Sequence, residues 1–346
     1  MNRPTTRFCA NAGLAAAAVF VFAVWVWGAD TVSTSLNGDP RSTLDGLVKG
    51  TAYNPFVQRA LVPAATREIV GAIPPAWKDG VTGILLASPK FTKEAARLGW
   101  DTREIPEYIV SLSLALAALV AFPFVLRSLF LSLYDVDVVV ANLVALGVLL
   151  GLPPFFLVGT HYIYDFPSLL FFTAGLYLLL RRKWILFYLM FILGCVNKET
   201  MVLLAAATVI LNSRTMPRGK LLSHVLAQVL IFGVIKTILV LTFRNNPGGS
   251  LEFHLWGNIH NLLFPYTFET AFLLIVACVL VFSDFHSKHP ALRKAALLLV
   301  PFWLLMFTFA WMTEIRDLYE IYPVYALLAA HTIAFSWMKK PYALLA

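Results

Sequence analysis

Carboxylates and basic side chains sit in short polar stretches between long apolar runs, in types suited to proton and phosphate chemistry. The longest stretch holds Asp30, Asp39, Asp45 and Arg59. Shorter ones hold His161 and Asp165, Lys198 and Glu199, Lys236 and Arg244, His254, Asn258 and His260, and Glu314, Arg316, Asp317 and Glu320. An Asp or Glu beside a basic, lipid-accessible cavity can remove the proton of an acceptor hydroxyl while Arg and Lys hold a leaving phosphate. No Walker A, GxGxxG, HExxH or GxSxG pattern stands in a useful context, so soluble nucleotide chemistry has no support.

Several of these residues have a local reading as well. Arg316 and Glu320 are four apart and can pair on one helix face. Lys236, two turns below Arg244, can snorkel outward along its own stem. Lys198 and Glu199 can stabilise a hairpin tip. His161 and His260 fit interfacial hydrogen bonding as well as ligand binding. The weight lies on the convergence of acids and bases, not on one residue.

The elements that must position them are membrane helices. Hydrophobic residues form 59% of the chain and charged residues 13%, too apolar for a soluble domain. Runs of roughly 20 apolar residues mark spans. The candidates are 10–28, 107–131, 136–158, 166–180, 184–196, 200–211, 221–243, 270–282, 295–312 and 318–337. The fold expected is therefore an all-α polytopic membrane protein of about ten transmembrane helices. It forms a single membrane domain over 1–346, with 30–106 as a long first extracytoplasmic loop carrying short interfacial helices.

Orientation follows from the basic residues. With the N-terminus in the cytoplasm, the short cytoplasmic segments collect Arg3, Arg7, Arg127, Arg181, Arg182, Lys183, Arg214, Arg218, Lys220, Lys288, Arg293, Lys294, Lys339 and Lys340. The short outer segments keep only Lys198, Arg244 and Arg316. This bias places both termini in the cytoplasm, and it accounts for the net charge of +8 without nucleic acid as a partner. The first run is long enough to span, and Trp27-Gly28-Ala29 is a poor cleavage site, so an uncleaved first span is expected. Cys9, Cys195 and Cys278 have neither metal-site nor disulfide spacing.

Two segments carry finer expectations. The pair 184–196 and 200–211, parted by Asn197-Lys198-Glu199, reads as a tight hairpin of short helices with its tip at the outer face, or as a re-entrant element. In the loop, Asn54-Pro55 reads as a cap and first turn, with Phe56, Val57, Ala60 and Leu61 on one helical face. A second short helix is expected from Pro63, with Ile69, Val70 and Ile73 on one side and Arg67 and Glu68 on the other. These helices lie either in the membrane interface or on the protein surface.

The stretch Asn54-Pro55-Phe56-Val57-Gln58-Arg59-Ala60-Leu61-Val62-Pro63, following a span and an acidic loop residue, resembles the "D…PF.yR.L.P" loop of bacterial integral-membrane glycosyltransferases of the GT-C superfamily. Asp165-Phe166-Pro167 opening a span, the Asn197-Lys198-Glu199-Thr200 tip and Glu314-Ile315-Arg316 before the last span are similar to that group too. The resemblance implies a polyprenyl-phosphate-linked sugar as donor and a catalytic carboxylate in the first outer loop. Asp39 is the choice by its distance from Pro55-Phe56, with Asp45 and Asp30 as competitors; the tyrosine usual after the acid is absent. Arg59 would contact phosphate or orient the loop, and His161, Asp165, Lys198, Glu199, Glu314 and Arg316 would line the substrate cavity. The acceptor implied is a lipid-linked glycan or another envelope molecule, at the face of a bacterial inner membrane. No protein metal site is read and no cofactor is called for, although a divalent metal is compatible with this chemistry. Two other classes stay open: a transporter or flippase using Lys236, Asp137 and His331, and a non-catalytic envelope assembly subunit.

Overall fold

The computed structural model describes residues 4–29, 32–156, 160–262, 268–311, 315–337 and 343–344. Helices dominate. In chain order they are α1 (Pro4–Trp27), α2 (Leu44–Lys49), α3 (Leu61–Ala72), α4 (Pro75–Leu86), α5 (Pro89–Arg97), α6 (Ile105–Leu131), α7 (Val138–Leu150), α8 (Pro153–Phe156), α9 (Asp165–Leu180), α10 (Trp184–Asn197), α11 (Leu203–Asn212), α12 (Arg218–Thr242), α13 (Leu255–Leu262), α14 (Phe268–Phe282), α15 (Pro290–Ala295), α16 (Leu299–Phe309) and α17 (Tyr322–His331). One two-stranded ribbon pairs β1 (Tyr134–Asp135) with β2 (Ala343–Leu344), antiparallel.

Among the described residues, five stretches are long and apolar enough to cross a membrane: Cys9–Trp27, Thr102–Leu131, Val138–Phe156, Arg218–Thr242 and Pro290–Phe309. Asp165–Leu180, Trp184–Asn197, Glu199–Asn212 and Tyr322–Phe335 are apolar but shorter. This is an all-α membrane protein. Between α9 and α12 the length difference follows burial. In α9, Phe166, Leu169, Phe172, Leu176 and Leu179 are all buried, whereas α12 buries only Gln228 and Leu239. A helix shielded by protein need not match the hydrocarbon thickness, but one facing lipid must satisfy its backbone over that whole distance.

Helix α9 is the centre of the packing, in contact with α6, α10 and α11. Successive helices α10 and α11 both lean on α9 and α12, joined by Lys198 and a 3-10 turn over Glu199–Val202. The expected tight turn is present, and its tip is buried: Lys198 is 3% exposed and Asn197 is fully enclosed. Asn197 Nδ2 donates to the Tyr164 carbonyl and the Ser168 hydroxyl, both at 2.9 Å, which fixes the tip against the start of α9.

The loop between α1 and α6 differs from its sequence reading in detail. Asn54 does not cap a helix. The Asn54-Pro55 peptide is cis, a 3-10 turn covers Phe56–Gln58, and α3 begins at Leu61. The Asn54 side chain instead donates to the carbonyls of Phe243 (3.0 Å) and Asn246 (3.1 Å), and its backbone N–H donates to the Pro247 carbonyl at 2.8 Å. Asn246 returns the contact, donating to the carbonyls of Gly50 and Ala52 at 2.8 Å each. Phe56 and Val57 are buried in the core, so this turn does not lie in the lipid interface. Helix α3 buries Val62, Thr66 and Val70 and leaves Ile69 exposed; the Thr66 and Ser111 hydroxyls meet at 2.9 Å against α6.

The connector after α12 is thereby stapled to residues 50–54, and Gly248 makes this approach sterically feasible. Its φ is +89°, and a Cβ there would lie 2.6 Å from the Asn54 carbonyl oxygen. Gly248→Ala is expected to cost about 1–3 kcal/mol and lower the apparent Tm in detergent. Gly80→Ala, in a helix with nothing within 4 Å of the new methyl group, is expected to leave Tm unchanged or raise it.

Candidate functional site

The loops that join the helices at the end of the bundle bearing residues 32–104 enclose a cavity of about 450 Å³. Its polar lining comes from Arg59, Lys198, Glu199, Thr200, Lys236, Glu252 and Asp317. Phe232 and Val240 of α12 and Phe302, Leu305, Met306 and Phe309 of α16 form its apolar walls. Helix α12 packs on α10 and α11, and α16 packs on α11 and α13, so the apolar walls belong to two helices that flank the same gap. The space is amphipathic, with charges gathered at the loop end and an apolar slot beside them.

Arg59 is placed by the turn over Phe56–Gln58 and by the hydrogen bond from the Ala60 N–H to the Val196 carbonyl at 3.0 Å. Its guanidinium forks onto Glu199: Nη2 lies 2.8 Å from Oε1 and Nε 3.4 Å from Oε2. Nη1 donates to the Tyr164 hydroxyl at 2.6 Å, and the cation lies over the Phe56 and Tyr164 rings at 5.4 and 4.8 Å. Burial opposes this charge, and the Glu199 carboxylate outweighs it, holding the guanidinium pKa well above its ordinary value.

Lys198 holds two acids from the segment before α17. Its ammonium is 3.3 Å from Asp317 and 3.0 Å from Glu320, with Glu320 fully buried. Thr200 donates to Glu320 at 2.6 Å. Asp165, buried at the start of α9, adds its negative field at Lys198. One cation thus faces three carboxylates. Glu320 binds the α10–α11 tip through Lys198 and Thr200. Lys236 also lines the cavity; it makes no hydrogen bond or ion pair with the described residues, and the fields of Glu199 and Arg59 both reach it.

Asp39 stands one ion pair behind the cavity. Arg41 clasps it through Nε (3.1 Å) and Nη2 (2.9 Å), and Asp39 also accepts from the Arg41 backbone N–H at 2.9 Å. Nη1 of the same guanidinium reaches Glu252 at 2.7 Å. The hydrogen bonds to Asp39 hold the Arg41 pKa above its usual value against the effect of burial. The other oxygen of Glu252 lies 3.2 Å from His254 Nε2. The chain Asp39–Arg41–Glu252–His254 therefore reaches the cavity through Glu252, which lines it.

Of the expected site residues, the cavity brings Arg59, Lys198 and Glu199 together, with Asp165 close behind. Asp45 is elsewhere: it pairs with Lys49, which also reaches Glu104 at 2.8 Å. His161 is a packing residue, 4% exposed, bonded to the Phe156 carbonyl at 2.6 Å and stacked on Trp25. Asp30 and Glu314 lie outside the described residues, as does the side chain of Arg316. Arg41 and Glu252 carried no role in the sequence reading, because their pairing spans 211 positions. The available signal was a lone acid following the turn-forming Pro247-Gly248-Gly249-Ser250. Among the described residues, no group of three or more His, Cys, Asp or Glu side chains is arranged to hold a metal ion. Asp137 caps α7 and His331 is bonded to Tyr134 and Ser287, so neither shares the cavity with Lys236.

No protein-family model, curated protein or solved structure matches the chain.

Removing one partner of a buried pair strands the other charge. Arg59→Met is expected to destabilise by about 3 kcal/mol, the low end for such pairs because Glu199 keeps 27% of its side chain exposed. In a double-mutant cycle with Glu199→Gln, measured by thermal unfolding in detergent, the coupling should be about 1–3 kcal/mol. Strictly additive losses would mean that the fork contributes nothing.

Proposed function

We propose that this protein is a membrane glycosyltransferase that moves a sugar from a polyprenyl-phosphate donor to a lipid-linked glycan or other envelope acceptor. The supporting observation is the amphipathic cavity, which sets the unpaired Lys236 ammonium among apolar walls and beside a carboxylate chain. A lipid phosphate needs a cation at its head and an apolar slot for its first isoprene units, and the gap between α12 and α16 offers both. In this reading the chain crosses a bacterial inner membrane about ten times, with the basic loops in the cytoplasm and the cavity at the opposite face.

The roles follow from position. Lys236 holds the leaving phosphate and offsets the charge that develops as the sugar–oxygen bond breaks. Glu252, facing the cavity, accepts the proton of the acceptor hydroxyl, and attack from the opposite side inverts the sugar carbon. Asp39 orients Arg41, and Arg41 in turn fixes Glu252. Arg59 and Lys198, each already neutralised by carboxylates, hold the two loops that shape the cavity. Assigning the base to Glu252 and not to Asp39 rests on position, since Glu252 lines the cavity and Asp39 does not.

Lipid-linked sugars from cells with and without the protein, compared by mass spectrometry, should differ by one sugar. In a membrane transfer assay Glu252→Gln should lower the rate about 10²–10⁴-fold, as expected for loss of a general base. Asp39→Asn should lower it about tenfold, a positioning effect. Full activity of Glu252→Gln with an inactive Asp39→Asn would return the base role to Asp39. Movement of labelled lipid in proteoliposomes without any covalent product would instead make the protein a flippase.

A further inference from the structure

The opposite end of the bundle holds a second cleft that the proposed reaction does not use. Its volume is about 510 Å³, and it lies where the ends of α9 and α11 meet the start of α15. Arg182 and Lys294 line it, with the neutral polar side chains Asn212 and Thr215, above a floor that includes Leu180 and Leu211. Among the described residues, no carboxylate lines it.

The charges there are uncompensated. Among the described residues, no ion pair involves Arg181, Arg182, Lys183, Arg214, Arg218, Lys220, Arg293 or Lys294. The contrast with the other end is sharp, where Arg41, Arg59 and Lys198 each hold a carboxylate. Arg293 Nε is buried without a hydrogen-bond partner, one residue before Lys294. Arg182 is held at φ +52°, a left-handed conformation uncommon outside glycine. Two cations that line one cleft without an internal counter-charge favour an external anion between them. A guanidinium fork beside an ammonium suits a phosphate, which can accept from both at once. The apolar floor extends that match to the first methylenes of an attached chain.

We propose that this cleft binds a phosphate group through Arg182 and Lys294, carried by an anionic phospholipid headgroup or by free phosphate. The site is separate from the reaction cavity, so its occupancy is independent of the transferase reading.

The test uses the full chain purified in mild detergent. Native mass spectrometry would follow adducts of phosphatidylglycerol and of phosphatidylcholine with the same acyl chains. Arg182→Gln with Lys294→Gln should lower the phosphatidylglycerol adduct at least about tenfold, the loss of two charge-assisted contacts. Arg214→Gln with Lys220→Gln removes equal charge outside the cleft and should change it less than about twofold. Arg182→Lys keeps the charge but removes the guanidinium fork, tests the site in a fold closer to the parent, and should leave an adduct between those of the parent and the cleft double variant. Displacement of the lipid by millimolar inorganic phosphate would assign the site to the phosphate group alone, and persistence would assign it to the lipid. Equal adduct in the cleft double variant, equal loss in the control pair, or equal retention of phosphatidylcholine would overturn the proposal.

Discussion

The fork between Arg59 and Glu199 is the contact on which the loop end of the molecule depends. It joins a turn in the first long loop to the tip between α10 and α11, 140 positions later in the chain. Both charges are mostly withdrawn from water, so neither can be left alone without a large desolvation cost. The same constraint governs Lys198, whose ammonium is enclosed and therefore holds Asp317 and Glu320 against it. Three segments far apart in the chain are brought to one place because each carries half of a pair that burial does not tolerate unpaired.

A second staple completes the enclosure. The reciprocal amide contacts of Asn54 and Asn246 hold the connector after α12 against the first loop, and this carries Ser250, Leu251 and Glu252 to the edge of the cavity. Hydrogen bonding here replaces apolar burial as the source of specificity. In a chain surrounded by lipid, apolar contact discriminates poorly between neighbours, whereas a carbonyl or carboxylate left without a partner is costly.

The two ends of the bundle manage charge in opposite ways. At the loop end cations and carboxylates interlock, and Lys236 alone among the cavity cations forms no ion pair within the described residues, feeling Glu199 only through its field. At the basic end Arg182, Arg293 and Lys294 form no ion pair among the described residues. The first arrangement builds a rigid pocket with one available charge. The second leaves a positive field that favours anions from outside the protein, a difference in keeping with the reaction cavity proposed at one end and the phosphate site proposed at the other.

How far the sequence carries can be seen residue by residue. Apolar run lengths determined the helices, because a spanning helix must be long and continuous wherever lipid surrounds it; α1, α6 and α12 were legible for that reason. The short apolar helices α9 and α11 were legible as apolar, but that their neighbours shield them is a property of packing alone. Arg59, Lys198 and Glu199 stood out as charges beside apolar runs, which are retained only where a partner or a polar cavity receives them. Which charge meets which was not legible. Arg41 with Glu252, Lys198 with Glu320, and Asn54 with the connector after α12 are contacts between distant segments, and no local period or spacing encodes them. The sequence by itself determined a helical membrane protein with charges gathered at helix ends. The tertiary structure alone decided which charges are neutralised, which carboxylate faces the cavity and which lysine stays unpaired, because pairing depends on distances that only the folded chain sets.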